Sequence, residues 1–237
     1  MPLYLAHFLT LDRQDGSSRA GAEVSHTFDT SRADLRTDAH GQYYDEDLGV
    51  GGYVSVAGRL GSTETGARNF IGNTEAGLMT AASDENNQTV ALHIGALIPT
   101  TYAFTTNAKA TSAPFDARLT DASQSYGARA YGVRAGLSFM RRDGRTFSQL
   151  DLGGELVNTT NSVHVNGGLG IDFGDVALVF ESTNGNATSH WTDEGAIGVR
   201  AAVGPVQPYA AAIGGIVENG GSKVYLAAVL GLDVPVR

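Results

Sequence analysis

Residues 223–237 divide by parity into two unlike faces. The even positions are Val224, Leu226, Ala228, Leu230, Leu232, Val234 and Val236, while the odd ones include Lys223, Tyr225, Gly231, Asp233 and Pro235. Successive side chains of a strand point to opposite faces, so one face here is unbroken hydrocarbon. At roughly 3.3 Å per residue that stripe runs for about 35 to 40 Å, enough for a tilted strand to cross a bilayer's hydrocarbon layer. The segment predicts a membrane-spanning β-strand.

The alternation recurs upstream. Val50, Val54, Val56 and Leu60 alternate with Tyr53, Ser55 and Arg59, and Val90, Leu92, Ile94, Ala96 and Ile98 with Ala91, His93 and Gly95. Tyr131, Val133, Ala135, Leu137 and Phe139 oppose Arg134 and Ser138, and Leu150, Leu152 and Leu156 oppose Gln149, Asp151 and Glu155. Further on, Val163, Val165, Leu169, Ile171 and Phe173 face away from His164, Asn166 and Asp172. Val176, Leu178 and Phe180 continue the pattern, as do Ile197 and Val199 beside Arg200, and Tyr209, Ala211, Ile213 and Val217. Period two holds nearly everywhere, and no segment has a helical period. With strands near 3–11, 19–30 and 74–82 included, the total is about 12, within about 10–14, an even number that suits an outer-membrane barrel.

Connections carry topology. Tight turns at Asp143-Gly144, Gly174-Asp175 and Gly204-Pro205 alternate with longer or more polar links at 158–161, 182–193 and 218–222. Short turns on one side and long loops on the other put the C-terminus, the tight turns and 83–88 on the periplasmic side. Segment 99–126 then becomes a long outer loop or a plug in the lumen, and the acidic stretch 31–47 a long periplasmic connection. Phe28, Phe139, Phe173 and Tyr209 fall near the periplasmic ends, and Tyr131 and Phe180 near the outer ends, as two aromatic girdles.

No apolar run is long enough for a transmembrane helix, and any other chain that enters a membrane must close into a barrel to pair its backbone. The predicted fold is all-β: one domain over 1–237, a closed antiparallel up-and-down transmembrane β-barrel. A soluble β-barrel that binds ligands is the competing reading, with the stripes as its core. Its other face would show Lys, Glu and Thr to water. Here that face is largely Gly, Ala and Ser, and charged residues make up only 17% of the chain.

The formal charge of -9 counts against nucleic acid as a partner, and no cofactor motif is present. The expected surroundings are the lipids and lipopolysaccharide of a Gram-negative outer membrane, with envelope proteins as partners of the outer loops. Met1-Pro2-Leu3-Tyr4 lacks the basic start and cleavage site of a secretory signal. The numbering therefore starts at a mature or engineered terminus, or the protein is not exported.

At Ile71-Gly72-Asn73-Thr74-Glu75-Ala76-Gly77-Leu78, followed by Ala91-Leu92-His93-Ile94-Gly95-Ala96-Leu97-Ile98-Pro99-Thr100, the chain resembles a hairpin of proteobacterial porin-like barrels. In that group a "G-N-x-E-x-G" strand pairs with one ending "L-P-T" before a long outer loop. The resemblance implies an outer-membrane channel without identifying its cargo. The ending Val234-Pro235-Val236-Arg237 departs from the terminal aromatic usual in such barrels.

The inward parity collects Arg59, His93, Arg134, Asp151, Glu155, His164, Asp172 and Arg200. Charges of both signs inside a barrel either set a pore's selectivity or fill a narrow lumen as a salt-bridged network. Candidates for catalysis are Ser25-His26 and Ser189-His190-Trp191 near Asp193, but adjacent side chains seldom reach nucleophile-to-base geometry, and the chain reads as non-enzymatic. The acidic group Asp34, Asp38, Asp45, Glu46 and Asp47 matches no calcium-loop spacing and reads as a solvated loop, with no metal site. The functions left are a passive channel or porin for small solutes, a membrane anchor or scaffold of an envelope complex, and a secretion translocator barrel.

Overall fold

The period-two segments become strands of one antiparallel sheet. In the computed structural model, which describes residues 15–29, 32–63, 66–67, 70–100, 102–103, 131–157, 160–187, 190–218 and 222–236, these are β1 (Arg19–Asp29), β2 (Arg32–Asp45), β3 (Val50–Thr63), β4 (Gly66–Ala67), β5 (Phe70–Ser83), β6 (Gln88–Ile98), β7 (Tyr102–Ala103), β8 (Gly132–Asp143), β9 (Thr146–Val157), β10 (Thr160–Asp172), β11 (Val176–Ala187), β12 (His190–Ala201), β13 (Gln207–Glu218) and β14 (Ser222–Pro235). The short β4 and β7 extend one rim, and the twelve long strands make the wall. The wall closes where β1 pairs with β14, from Arg19 opposite Pro235 to Phe28 opposite Leu226. Closure removes open sheet edges, as a bilayer requires.

The strands are staggered. Stepping between paired residues from Arg19 through Gln42, Tyr53, Gly77, Gly95, Arg134, Glu155 and Ser162 to Ala187 climbs from the first residue of β1 to the last of β11. Such stagger accompanies the tilt that sets a barrel's width. One rim, the turn end, holds Arg19, Pro235 and five tight turns. Each of these has one residue with positive φ: Gly49, Asn87, Gly144, Gly174 and Gly204. Glycine enters that region without a Cβ clash, and asparagine tolerates it better than most. Beside Asn87, the Asp84 carboxylate accepts the backbone N–H of Gln88 at 2.8 Å and of Asn86 at 2.9 Å, which holds its pKa below the ordinary carboxylate value.

The turns at 83–88, 143–144, 174–175 and 204–205 all lie at this one end, as predicted. Upstream the structure corrects the sequence. The stretch 31–47 is not a connection, because Arg32–Asp45 form β2 and only 46–49 turn. Its polar parity, Arg36, Asp38, His40 and Gln42, faces the lumen, while its outward parity offers only Leu35 and Tyr43 as large apolar groups. No stripe betrays the strand. β1 consequently runs opposite to the expected direction and carries His26 and Phe28 to the rim away from the turns. The strand expected at 3–11 lies outside the described residues, and β1 is paired on both edges, by β14 and β2.

Segment 182–193 is likewise strand rather than loop. β11 continues to Ala187 and β12 starts at His190, with outward Ser182, Asn184 and Asn186 interrupting the apolar stripe near the rim. Phe180 therefore lies toward the turn end instead of the outer end. Of 99–126, only 99–100 and β7 are described.

On the outer surface stand Leu78, Leu169 and Val224, 68%, 66% and 77% exposed, with Leu, Val and Ile from every long strand except β13's small-residue stretch. Apolar outside and polar inside is the reverse of a soluble barrel and the arrangement of a membrane one. Aromatics gather at both rims, Tyr43, Phe139 and Phe173 at the turn end and Phe28, Tyr131 and Trp191 at the other. Tyr209 is not among them. It faces inward with Ala211 and Ile213, contrary to expectation, while Pro208, Ala210, Ala212 and Gly214 face out. Both faces of β13 are apolar, so its alternation alone cannot orient it; the register with β12 and β14 does.

Candidate functional site in the barrel lumen

Five large side chains lie flat along the inner wall, each over a glycine directly opposite on the neighbouring strand. The pairs are Tyr53 with Gly77, Phe147 with Gly170, His164 with Gly153, Tyr209 with Gly231, and Tyr225 with Gly215. A Cβ at Gly231 would stand 2.1 Å from the Tyr209 ring, and one at Gly153 2.2 Å from His164. Ring over glycine lets a narrow barrel hold bulky groups and fixes where their polar ends reach.

The hydroxyls of the three tyrosines reach carboxylates, Tyr53 to Glu75, Tyr209 to Glu23 and Tyr225 to Glu194, beside ion pairs that tie strands together in the lumen. Near the turn end, Arg200 donates to Asp233 at 2.7 Å, with its guanidinium 4.7 Å above the Tyr209 ring. His40 stands between two carboxylates, with Nε2 2.9 Å from Asp233 and Nδ1 3.0 Å from Asp38, which also accepts the Ser55 hydroxyl at 2.7 Å. Tyr209 donates to Glu23 at 2.8 Å. Higher up, Arg134 pairs with Glu75 at 2.9 Å and Glu155 at 3.3 Å, while Tyr53 donates to Glu75 and Ser162 to Glu155. Gln149 donates to both oxygens of Asp151, and Thr183 and Tyr225 donate to Glu194. Removing an ion from water costs several kcal/mol unless partners compensate, so a lumen so charged must be paired. It is also tightly filled: Arg36, His93, Asp151 and Arg200 are all 2% exposed or less.

Of the residues predicted to line the lumen, His93, Arg134, Asp151, Glu155, His164 and Arg200 do so. Asp172 sits lower, at the turn-end rim, paired with Arg142. Only the backbone of Arg59 is described, opposite Arg36. Sequence inspection missed Glu23, Arg36, Asp38, His40, Glu75, Glu181, Glu194 and Asp233. Glu75 stood inside the hairpin motif and Asp233 on the polar parity of β14, so both were within reach of the same rule. Asp38 was hidden by the reading of β2 as a loop.

The catalytic candidates do not assemble. Ser25 faces the lumen and His26 the outside, where it meets Phe28 edge-on, so neighbours in sequence point apart. Trp191 and Asp193 also face outward, and Ser189 lies outside the described residues. Among the described residues no group of His, Cys, Asp and Glu could hold a metal ion.

A closed antiparallel wall, apolar outside and charged inside, with tight turns at one rim, is the architecture of transmembrane β-barrels. Solved structures of an outer-membrane channel and of two porins share this fold. The COG4313 outer membrane channel from Pseudomonas putida F1 matches with a TM-score of 0.66 at 11% identity, over 100% of this chain and 99% of that one. The NanC porin matches at 0.57 and 11%, over 92% and 100%, and the KdgM porin at 0.55 and 10%, over 92% and 99%. Identity this low speaks for the fold alone. No protein-family model and no curated protein matches the sequence.

Proposed function

We propose that the protein is a passive channel for small solutes in the outer membrane of a Gram-negative bacterium, with its turn end in the periplasm. The observation that carries this is a lumen into which every long strand sends charged or polar groups, beside one apolar cluster that includes Phe147, Val179, Ile213 and Val229; a mere lipid anchor does not need so many charges inside. The fold it shares with a named channel and two porins supports the same reading. The fixed charges of Arg134, paired with Glu75 and Glu155, and of Arg200, paired with Asp233, stand along that path.

The dense packing favours one second reading, a barrel that anchors or scaffolds an envelope complex through its outer loops. Purified protein in planar bilayers separates the two. The channel reading expects ion currents, and expects Arg134→Gln or Arg200→Gln to shift selectivity toward cations because a fixed positive charge leaves the path. Correctly folded barrels that pass no current, native or variant, would leave the anchor.

A further inference from the structure

A groove of about 630 Å³ crosses the outer wall over β6, β8, β9, β10 and β11, between two rows of outward side chains. The row nearer the turn end runs, paired residue to paired residue, from Gln88 through Arg141, Ser148 and Leu169 to Phe180. Phe139, Leu150 and Gly167 stand in the row above it. Residues between the rows turn their side chains into the lumen, so the floor is strand backbone.

Because the wall is staggered, the groove climbs. Gln88 opens β6 at the turn-end rim and Arg141 stands two residues short of the end of β8, whereas Phe180 lies four residues past the start of β11. Its chemistry changes with height: Gln88, Arg141 and Ser148 put hydrogen-bond donors at the foot, and Leu150, Leu169 and Phe180 make the rise apolar. Gly167 leaves the upper wall open, since a Cβ there would meet nothing nearer than the Gln149 carbonyl oxygen at 3.9 Å.

Arg141 is exposed and makes no ion pair among the described residues. The carboxylates Asp84, Glu85 and Asp143 belong to the adjoining turns on its rim side, with Arg145 among them, and Asp84 accepts the backbone N–H groups of Asn86 and Gln88. An arginine on the outer wall is tolerated near a membrane interface, where its long stem lies on apolar surface and its head reaches the lipid head groups. There a guanidinium takes phosphate oxygens in pairs.

We propose that this groove binds one phospholipid of net negative charge from the leaflet at the turn end, with its phosphate at Arg141 and an acyl chain laid up the groove past Leu169 and Gly167 toward Phe180. A polar foot at the interface and an apolar rise into the membrane repeat the order of groups along a lipid. The volume falls among pockets that hold small ligands, about 300–1,000 Å³. The site requires that the barrel stand in a membrane and is independent of whether it conducts.

Native mass spectrometry of the full chain in detergent, supplied with dioleoyl phosphatidylglycerol or with its uncharged phosphatidylcholine counterpart, tests this. Native protein should retain one phosphatidylglycerol in preference to phosphatidylcholine. Gly167→Leu, which fills the groove with a side chain the backbone accepts, should lose the bound lipid, and Arg141→Gln should lose the preference. Ala228→Leu, a similar enlargement on the outward parity of β14 away from the groove, should keep both. Unchanged heat-modifiable migration shows that each variant folds. Equal lipid retention by native protein and Gly167→Leu, a preference that survives in Arg141→Gln, or an equal loss in Ala228→Leu would overturn the site. So would a native dimer that holds no lipid and becomes monomeric in Gly167→Leu, because a second barrel would then be the occupant.

Discussion

Leu230 is the position where the assignment of inside and outside has its largest energetic consequence. It lies mid-way along β14, 59% exposed on the outer face, opposite Val24 on one neighbour and Ala210 on the other. Neither offers a carboxylate. Arginine there must reach water through hydrocarbon, which costs about 2 to 4 kcal/mol at a bilayer's midplane and about 0 to 1 kcal/mol near an interface. Leu48 gives the matched comparison, since it is 73% exposed in the 46–49 turn at the rim. Leu230→Arg should therefore exceed Leu48→Arg by about 1 to 4 kcal/mol. Urea titration of the barrel in lipid vesicles measures both, read by fluorescence of the single tryptophan, Trp191, which stands on the outer face at the far rim. Equal costs, or a larger cost at Leu48, would refute the lipid-facing assignment of β14.

Gly231→Ser puts a small polar group on the lumen side, where polarity alone predicts tolerance, yet its Cβ would meet the Tyr209 ring at 2.1 Å. The variant should unfold at a markedly lower temperature, by mobility on unboiled gels, and Tyr209→Ala should restore much of the loss; purely additive effects would contradict the ring-over-glycine packing. Asp233→Asn strands Arg200, 2% exposed, and should cost about 3–5 kcal/mol by urea titration, more than the double change Arg200→Met with Asp233→Leu, which removes both charges. The purified protein should need detergent and migrate differently before and after heating; a soluble monomer without detergent would contradict the exposed apolar belt.

Strand existence was readable wherever one parity carried large apolar groups, as on β6, β9, β10 and β14, because lipid demands them there. It failed where that demand is met thinly. β2 shows lipid mostly small residues and puts Arg36, Asp38 and His40 inward, so its charge reads as loop. Missing that strand reversed β1 and moved Phe28 to the wrong rim, since direction alternates with every strand counted. On β13 both parities are apolar, and only pairing with β12 and β14 shows that Tyr209 and Ile213 point inward. Of the lumen, individual charges were visible by parity, but who meets whom was not. Arg200 and Asp233 are far apart along the chain's alternation and become partners only through the stagger of β12, β13 and β14.

The chain contains no cysteine, so single cysteines can be placed along β14 without background. Spin labels at 224–232 in lipid vesicles, read for collision with molecular oxygen dissolved in the bilayer, test the inverted barrel most directly. High accessibility at Val224, Leu226, Ala228, Leu230 and Leu232, alternating with low accessibility at Tyr225, Ala227, Val229 and Gly231, is the expected result. Equal accessibility at both parities, or oxygen reaching the odd positions instead, would contradict a membrane barrel with this lumen.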